Sequence, residues 1–572
     1  MADALLDRLK STTLRIGEIR RAFGTPSVSC GVLHQGEVIF RYAEGFADVE
    51  MGRQADADTV YPVASCTKAF ISATCAILVR EGLLSWDKPV SFYLPEFETP
   101  HNPEVGHRAT LVDLCSHATG LAPVDNVLVG FHERLYHDGE SQVRIASHLP
   151  PECGFRSEFL YNNLMYGVVG ATIAKVSGRT AGAVMKEKIF QPLGMGRTIT
   201  SPADDPLDGN VAKGYSVLDK GSLLRLEEPE LRDGTANAGA GCVRSTVNNM
   251  LKWASAVMQA EMQQSTRNQG YHNLKSNQPE DDEILPGLVF TRAARMPITQ
   301  GDSSANENAY GMGWFRHTIP SKFLGFTSPN FSLLAEPPII GKNTPQRLTI
   351  CHYGAMGGFL AAFYTFPESC SAIVVLGNSS PSRGDPTDLI AQALCQELFD
   401  MQPRVSLESF AVLATETSRL IWPALVQEWV LCRGQDADST AAPVADYVGR
   451  YENKGLALQI DVQPNVNRRH RRAGDWKLRN PEPLAFTVNG RPGQRLRRYQ
   501  GDTWTFLPNS RDDALKKGME RFINLPNLLL VFTRDSDGCI TGLMWDLYGQ
   551  KSEELVMHDS VRVEPVRFEK VA

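Results

Sequence analysis

The positions of strand-like segments along the chain constrain its fold more than any other feature of the sequence. Residues 27–33 and 38–42 alternate apolar and polar side chains on either side of Gln35-Gly36, which is the pattern of a β-hairpin. After a long stretch of helices and loops, strand-like runs return at 347–351, 360–366 and 372–376. Strands at both ends of a helical middle predict an α+β domain whose two ends close one antiparallel sheet.

Apolar periodicity predicts the long helices. Residues 1–24 are typical of an amphipathic packing helix, because apolar side chains recur at helical spacing with charges between them, at Leu5, Leu6, Leu9, Leu14, Ile16 and Ile19. Further helices are expected at 65–81, 388–399 and 410–431. Residues 260–285 are rich in Gln, Asn, Ser and acidic residues, so we expect a mobile surface insertion there.

A second region follows, in which the pattern becomes short and β-like. The stretch GQDADSTAAP (434–443) is typical of a linker. Short strands separated by turn residues then predict a small antiparallel barrel, from the segments YVGRYEN, LALQIDV, WKLRN, LAFTVNG, TWTFLP, LLLVFTR and ITGLMWDL. The sequence therefore predicts three units, at 1–405, 406–440 and 441–572.

Two arginine-rich stretches lie within the predicted barrel, RRHRR at 468–472 and RLRR at 495–498. Clusters of like charge are usually solvated, so both are expected on an exposed face of the barrel. An interface or a site for an anionic ligand is the alternative.

Composition and charge exclude several classes of protein. The 572 residues carry 58 Lys and Arg against 65 Asp and Glu, a net charge of −7, whereas nucleic-acid binders usually show the opposite balance. The longest apolar stretch, 70–79, is too short to span a bilayer, and residues 1–24 lack the apolar core of a signal peptide. Eleven cysteines without a CxxC pair favour reduced thiols and a cytoplasmic location. The oligomeric state is left open.

The main candidate for chemistry is the tetrapeptide Ser65-Cys66-Thr67-Lys68 at the start of the helix predicted at 65–81. Positions i and i+3 share one helical face, so the hydroxyl of Ser65 and the amine of Lys68 can meet. A lysine in a dry site can have its pKa lowered by several units, and it can then accept the serine proton. Residues 85–88 (SWDK) match the same pattern, but Gly82 and Pro89 place them in a turn.

Two further motifs follow at long separation, YNN at 161–163 and HYG at 352–354. Together with SxxK they resemble the signature of the serine β-lactamase-like family, in its class C, D-aminopeptidase and esterase branch. Further stretches also resemble this family and extend the resemblance to about residues 12–400. They are LCSHATGL, QPLGMGRT, YGMGW and VVLGNSS. The resemblance implies a transpeptidase-like domain with an antiparallel sheet flanked by helices. The YVGRY segment resembles the start of the lipocalin-like barrel often appended to this family.

The resemblance also implies roles for individual residues. Ser65 is the expected nucleophile, and Lys68 and Tyr161 share the acid–base work, with either as the base. Among the substrate-binding residues, Asn163 orients Lys68 or holds a substrate amide. The backbone N–H groups of Ser65 and Ala355 stabilise the oxyanion, and Gly354 allows close approach of the strand to the substrate. No metal or other cofactor is expected.

The activity implied is hydrolysis of a small-molecule ester or amide. His352 stands where penicillin-directed members carry lysine, so attraction of a substrate carboxylate is weaker here. His352 could instead be a hydrogen-bonded strand histidine that does not contact the substrate. Two alternatives for the whole chain stay open: an acyltransferase of secondary metabolism that uses the same acyl-enzyme, and a non-catalytic binding or scaffold protein.

Overall fold

A computed structural model describes residues 2–270, 283–298, 307–433, 442–465, 482–548 and 564–571. Its helices are α1 (Ala2–Phe23), α2 (Thr67–Arg80), α3 (Val90–Tyr93), α4 (Pro103–Arg108), α5 (Leu111–Cys115), α6 (Asp125–Leu128), α7 (Gln142–Ser147), α8 (Asn163–Ser177), α9 (Ala181–Met185), α10 (Ala238–Gly241), α11 (Val247–Gly270), α12 (Leu288–Thr291), α13 (Pro329–Leu333), α14 (Pro386–Leu398), α15 (Leu407–Leu431) and α16 (Arg511–Lys516).

The strands are β1 (Ser27–His34), β2 (Glu37–Asp48), β3 (Arg53–Gln54), β4 (Tyr61–Pro62), β5 (Tyr215–Val217), β6 (Leu223–Arg225), β7 (Arg244–Ser245), β8 (Met296–Pro297), β9 (Asn308–Tyr310), β10 (Phe315–Ile319), β11 (Arg347–Met356), β12 (Phe359–Phe366), β13 (Ser371–Gly377), β14 (Gly449–Asn453), β15 (Leu458–Pro464), β16 (Leu484–Val488), β17 (Arg491–Gln500), β18 (Thr503–Thr505), β19 (Leu529–Arg534), β20 (Ile540–Trp545) and β21 (Val566–Val571).

One antiparallel sheet organises the first region. Its strand order is β3-β2-β1-β13-β12-β11-β10-β9-β8. The early strand β1 lies beside the late strand β13, and Val28 pairs with Gly377 in antiparallel register. The predicted closure of one sheet by the two ends of the domain is therefore confirmed, as is the α+β class.

Helices cover both faces of this sheet. On one side, α1 and α14 pack against the sheet and α15 packs against both of them, while α11 packs on the other side. Strand β13 shows the consequence, since Ile373 and Val375 enter one buried cluster and Val374 and Leu376 enter the other. Because successive side chains of a strand point to opposite faces, a fully apolar strand requires cover on both.

Two expectations about the helices need correction. Leu14 was expected on the packing face of α1, but 76% of its surface is exposed, whereas Leu9 and Ile16 are buried. The insertion expected at 260–285 is helical in its first part, because α11 continues without a break to Gly270. Residues 271–282 lie outside the described residues.

No helix in the described part of the chain is long and apolar enough to cross a membrane.

The second region forms a closed antiparallel barrel of strands β14 to β21, in which β14 pairs with β21. The predicted barrel is confirmed, although residues 434–441 of the linker, the RRHRR stretch and the WKLRN segment lie outside the described residues. The RLRR stretch differs from expectation, because Arg497 is buried and donates a hydrogen bond to the carbonyl of Leu507. The division at residues 405 and 440 stays a prediction.

Candidate active site

Ser65 lies in a tight 3-10 turn, Ala64–Cys66, that runs directly into α2. Ala64 has a left-handed backbone with φ of 44°, a conformation that is strained for a residue with a side chain. The turn leaves the Ser65 side chain partly exposed, while Cys66 and Lys68 are buried. The competing serine, Ser85, lies outside any helix, as expected from Gly82 and Pro89.

Lys68 is the centre of the hydrogen-bond network. Its Nζ donates to Ser65 Oγ at 2.9 Å, to Asn163 Oδ1 at 2.7 Å and to the Ala240 carbonyl at 3.2 Å. The side chain is completely buried. Burial lowers the pKa of Lys68 to about 7, against the attraction of Asp125, which favours the charged form.

Asp125, at the start of α6, is a site residue that the sequence analysis missed. Its two carboxylate oxygens accept from Asn163 Nδ2 at 3.1 and 2.9 Å. This contact fixes the Asn163 amide with its oxygen toward Lys68. Asp125 belongs to no recognisable motif and lies far from Ser65 in the chain, so only the folded structure could reveal it.

Tyr161 contacts both members of the SxxK pair. Lys68 Nζ lies 4.8 Å from the centre of the Tyr161 ring. The Tyr161 hydroxyl forms a hydrogen bond with Ser65. Burial raises the pKa of Tyr161 above its ordinary value despite that hydrogen bond. The next residue, Asn162, caps α8 by accepting from Leu164 N, so the two asparagines of the motif have separate tasks.

Gly354 is required by a contact within the protein. A Cβ at this position would lie 2.2 Å from the carbonyl oxygen of Val63, in the segment that leads to Ser65. Strand β11 can therefore approach the turn of the nucleophile only with glycine here, which adds to the expected approach to substrate. Ala355, the next residue, is exposed. Strand β10 pairs with β11 only as far as Cys351, so none of the described strands pairs with that edge of β11 at Ala355.

Comparison with known sequences agrees with this geometry. The profile of the family described as Beta-lactamase matches residues 16–396, well over half of the chain. The chain belongs to the beta-lactamase family. Members of the family that it matches are serine hydrolases, with an esterase and a peptidase among them.

Individual relatives are distant. "Unguisins hydrolase ungD" of Aspergillus violaceofuscus is 28% identical over 256 residues, 43% of this chain and 44% of that protein. The match thus spans less than half of that relative. "Beta-lactamase" of Yersinia enterocolitica is 24% identical over 384 residues, 65% of this chain and 87% of that protein. The solved octameric penicillin-binding protein homologue from Pyrococcus abyssi shares the fold over 99% of both chains, with a TM-score of 0.55 and 18% identity.

The third beta-lactamase-family motif lies beside the site, but the ring of His352 is held by hydrogen bonds within the protein. His352 is buried, and its Nδ1 donates to the Tyr353 carbonyl at 2.6 Å. Its Nε2 is then left as the acceptor for the Tyr310 hydroxyl at 3.1 Å. Burial lowers the pKa of His352 to about 3, so the ring is neutral. With both ring nitrogens engaged, His352 fits the strand-histidine alternative better than the role of a substrate-binding residue.

His352→Lys is therefore expected to destabilise the fold rather than attract substrate carboxylates. The lysine cannot accept from Tyr310, and its ammonium would be buried without a counter-ion. The free energy of unfolding should fall by about 2–4 kcal/mol, measured by urea denaturation. His101→Lys is the matched control at an exposed position and should change it by less than about 0.5 kcal/mol. A stable His352→Lys protein with a stronger preference for carboxylate substrates would contradict this interpretation.

Proposed function

We propose that this chain hydrolyses a small-molecule ester or amide through an acyl-enzyme on Ser65. The observation that carries the proposal is the 2.9 Å hydrogen bond between Lys68 Nζ and the Oγ of a partly exposed Ser65. A buried amine next to an accessible hydroxyl is the arrangement that activates serine as a nucleophile. A cytoplasmic location, expected from the cysteines, is part of the same proposal.

Lys68 is the better candidate for the general base. With a pKa of about 7, roughly half of the amine is neutral at pH 7. Its two remaining N–H groups can stay on Asn163 and Ala240, so the lone pair faces the Ser65 hydroxyl. Tyr161 keeps its proton at this pH, since its pKa is above the ordinary value. Tyr161 is then a proton donor or shuttle.

The reaction follows from these assignments. Ser65 Oγ forms a bond to the substrate carbonyl carbon while its proton passes to Lys68 Nζ, and the carbonyl oxygen becomes an oxyanion. The backbone N–H groups of Ser65 and Ala355 stabilise that charge. When the oxyanion collapses, the bond to the leaving alcohol or amine breaks, and that group takes the proton from Lys68 through the Tyr161 hydroxyl. In deacylation, water adds to the acyl carbon while its proton passes to Lys68. The bond to Ser65 Oγ then breaks, Oγ takes that proton back, and the free acid leaves.

The pH dependence of acylation tests the role of Lys68. In the wild type, kcat/KM for a neutral ester should rise with a midpoint near pH 7, because only the neutral amine accepts the proton. Asp125→Asn removes the attraction that favours the ammonium form, so the midpoint should fall by roughly half a unit to one unit. Asp138→Asn is the control, because Asp138 is an exposed carboxylate that accepts hydrogen bonds from Ser141. This variant should leave the midpoint unchanged. An upward shift in Asp125→Asn would contradict the assignment.

Intact-protein mass spectrometry with a library of esters and amides tests the proposed activity. We expect an added acyl mass that turns over in water, with free acid as the product. An adduct that persists in water and disappears only with an added alcohol or amine would instead favour the acyltransferase alternative. A chain that forms no adduct with any member of the library would favour the binding or scaffold alternative.

A further inference from the structure

The barrel contacts the same segment that supplies Asp125 to the active site. After α6, the chain enters a short turn, Phe131–Glu133, whose first side chain is inserted among the aromatic rings of the barrel. The Phe131 ring centre lies 4.7 Å from that of Phe522 and 5.9 Å from that of Phe506. Phe131 is 3% exposed, so the barrel provides much of its cover.

The backbone of this turn is held in a strained shape by the barrel. His132 and Glu133 have left-handed φ values of 58° and 56°. The amide of His132 donates to the Gly518 carbonyl at 3.0 Å. A Cβ on Gly518 would lie 2.3 Å from that amide nitrogen, so the two backbones approach as closely as glycine allows. Strained residues of this kind persist only where their surroundings hold them.

An ion pair completes the contact. Arg521, in the segment that connects barrel strands β18 and β19, donates to both carboxylate oxygens of Glu133, at 2.7 and 2.9 Å. The Glu133 side chain in turn packs on Gly357, where an added Cβ would lie 2.4 Å from its Cγ. Gly357 follows the exposed residue Ala355 by two positions. The pair therefore joins the barrel to the end of β11, where the second oxyanion donor is proposed.

The charge of Arg521 also acts on the acid–base network. Although burial opposes it, the carboxylates of Glu133 and Asp125 hold the pKa of Arg521 above its ordinary value. Asp125 orients Asn163, which accepts from Lys68. The charge of Arg521 therefore acts on a carboxylate that one hydrogen-bonded residue, Asn163, separates from the amine beside Ser65.

We propose that Arg521 is a positioning residue for the acylation of Ser65, an inference that rests on the proposed function. By pairing with Glu133, Arg521 fixes the segment from Asp125 to Glu133 and balances its negative charge near Lys68. The barrel then completes the active site of the first region.

The balance of charge around Lys68 gives this inference a specific readout. The titratable groups that face Lys68 or interact with it come from several elements and are Cys66, Asp125, Tyr161, Tyr166, His117 and His352. Asp125 is the carboxylate in this set, and both histidines are kept neutral by burial. Loss of Arg521 would leave Glu133 and Asp125, the two carboxylates that hold its charge, without that positive charge, and the stronger negative charge favours the ammonium form of Lys68.

The test compares acylation by a neutral activated ester between pH 5 and pH 9 in the full-length chain. Arg521→Met is expected to acylate about tenfold more slowly at pH 9 and to shift the pH midpoint upward by roughly half a unit to one unit. The double variant Arg521→Met, Glu133→Gln should return the midpoint toward the wild-type value but stay slow. Arg450→Met is the matched control, because it breaks an exposed barrel ion pair, with Asp461, away from this contact. It should behave as the wild type.

Each outcome decides the inference. A folded Arg521→Met protein with the wild-type midpoint overturns it, even if the rate is lower, because a purely structural role would not move the midpoint selectively. If Arg521→Met does not fold, Arg521→Lys tests the proposal instead. This variant should be acylated several-fold more slowly than the wild type, with an unchanged pH midpoint. Acylation at the wild-type rate would overturn the proposal. Absence of acylation in the wild-type chain, with native folding confirmed by circular dichroism, would refute the proposed function and this inference with it.

Discussion

Ser65→Ala is expected to abolish both acyl-enzyme formation and turnover. The substitution removes the atom that forms the covalent bond and leaves the fold nearly unchanged, since Ser65 is partly exposed and alanine suits the turn. In a serine protease, loss of the nucleophile lowers kcat by roughly 10⁶-fold, and we expect a loss of that order here. Intact-protein mass spectrometry and steady-state rates on the same ester measure the two effects separately.

The chain offers its own control for this experiment. Ser85→Ala alters the only other SxxK sequence considered above, in which Ser85 Oγ accepts a backbone hydrogen bond from Asp87 at 3.3 Å in a loop. Lys88 of that tetrapeptide is exposed. Ser85→Ala should therefore acylate and turn over as the wild type does. An inactive Ser85 variant beside an active Ser65 variant would place the site elsewhere.

Lys68→Met and Tyr161→Phe are each expected to slow acylation by at least about a hundredfold, the usual scale for loss of a positioned acid–base group. Methionine keeps much of the buried volume of Lys68, so the cavity left by a shorter residue does not obscure the result. Single-turnover rates with an activated ester measure the acylation step alone.

The double variant shows whether the two groups act together. Lys68 contacts both Ser65 and the Tyr161 ring, so the proton path through one residue depends on the other. Residues that act as a unit give effects that do not multiply, so the double variant should be little slower than the slower single variant. Rates that multiply independently would show that Lys68 and Tyr161 do not share a proton path. Thermal unfolding of all three proteins separates this result from a loss of structure.

The architecture could be predicted from the sequence because burial leaves a local signature. The apolar run of β13 reflects cover on both faces of the sheet. The alternation in β1 identified a strand, although its serines Ser27 and Ser29 are buried as well. The SxxK spacing likewise placed Ser65 and Lys68 on one face within a few residues, which local geometry alone decides. Strand β17 was harder to predict from the sequence, because its buried residue Arg497 interrupts the pattern of apolar side chains.

The remaining parts of the site depend on contacts between distant segments. Hydrogen bonds through Asn163 connect Asp125 to Lys68, and Arg521 pairs with Glu133 from the other region of the chain. The hydrogen bond to His352 Nε2 comes from Tyr310, a residue of another strand. Sequence patterns report which residues are apolar, but they do not report which polar side chains meet across a fold. The exposure of Leu14 could not be predicted for a similar reason. Helical spacing identifies the apolar face of a helix, but it does not show how much of that face a neighbouring element covers.

The most direct measurement is to locate the acyl group on the chain. After incubation with an activated ester and an acid quench, tryptic digestion releases residues 54–68, and fragment ions distinguish Ser65 from its neighbours. We expect the acyl mass on Ser65, since burial raises the pKa of the adjacent Cys66 thiol to about 12 and keeps it unreactive. An acyl mass on Cys66 or Lys68, or on a different peptide, would contradict the assignment of Ser65 as the nucleophile.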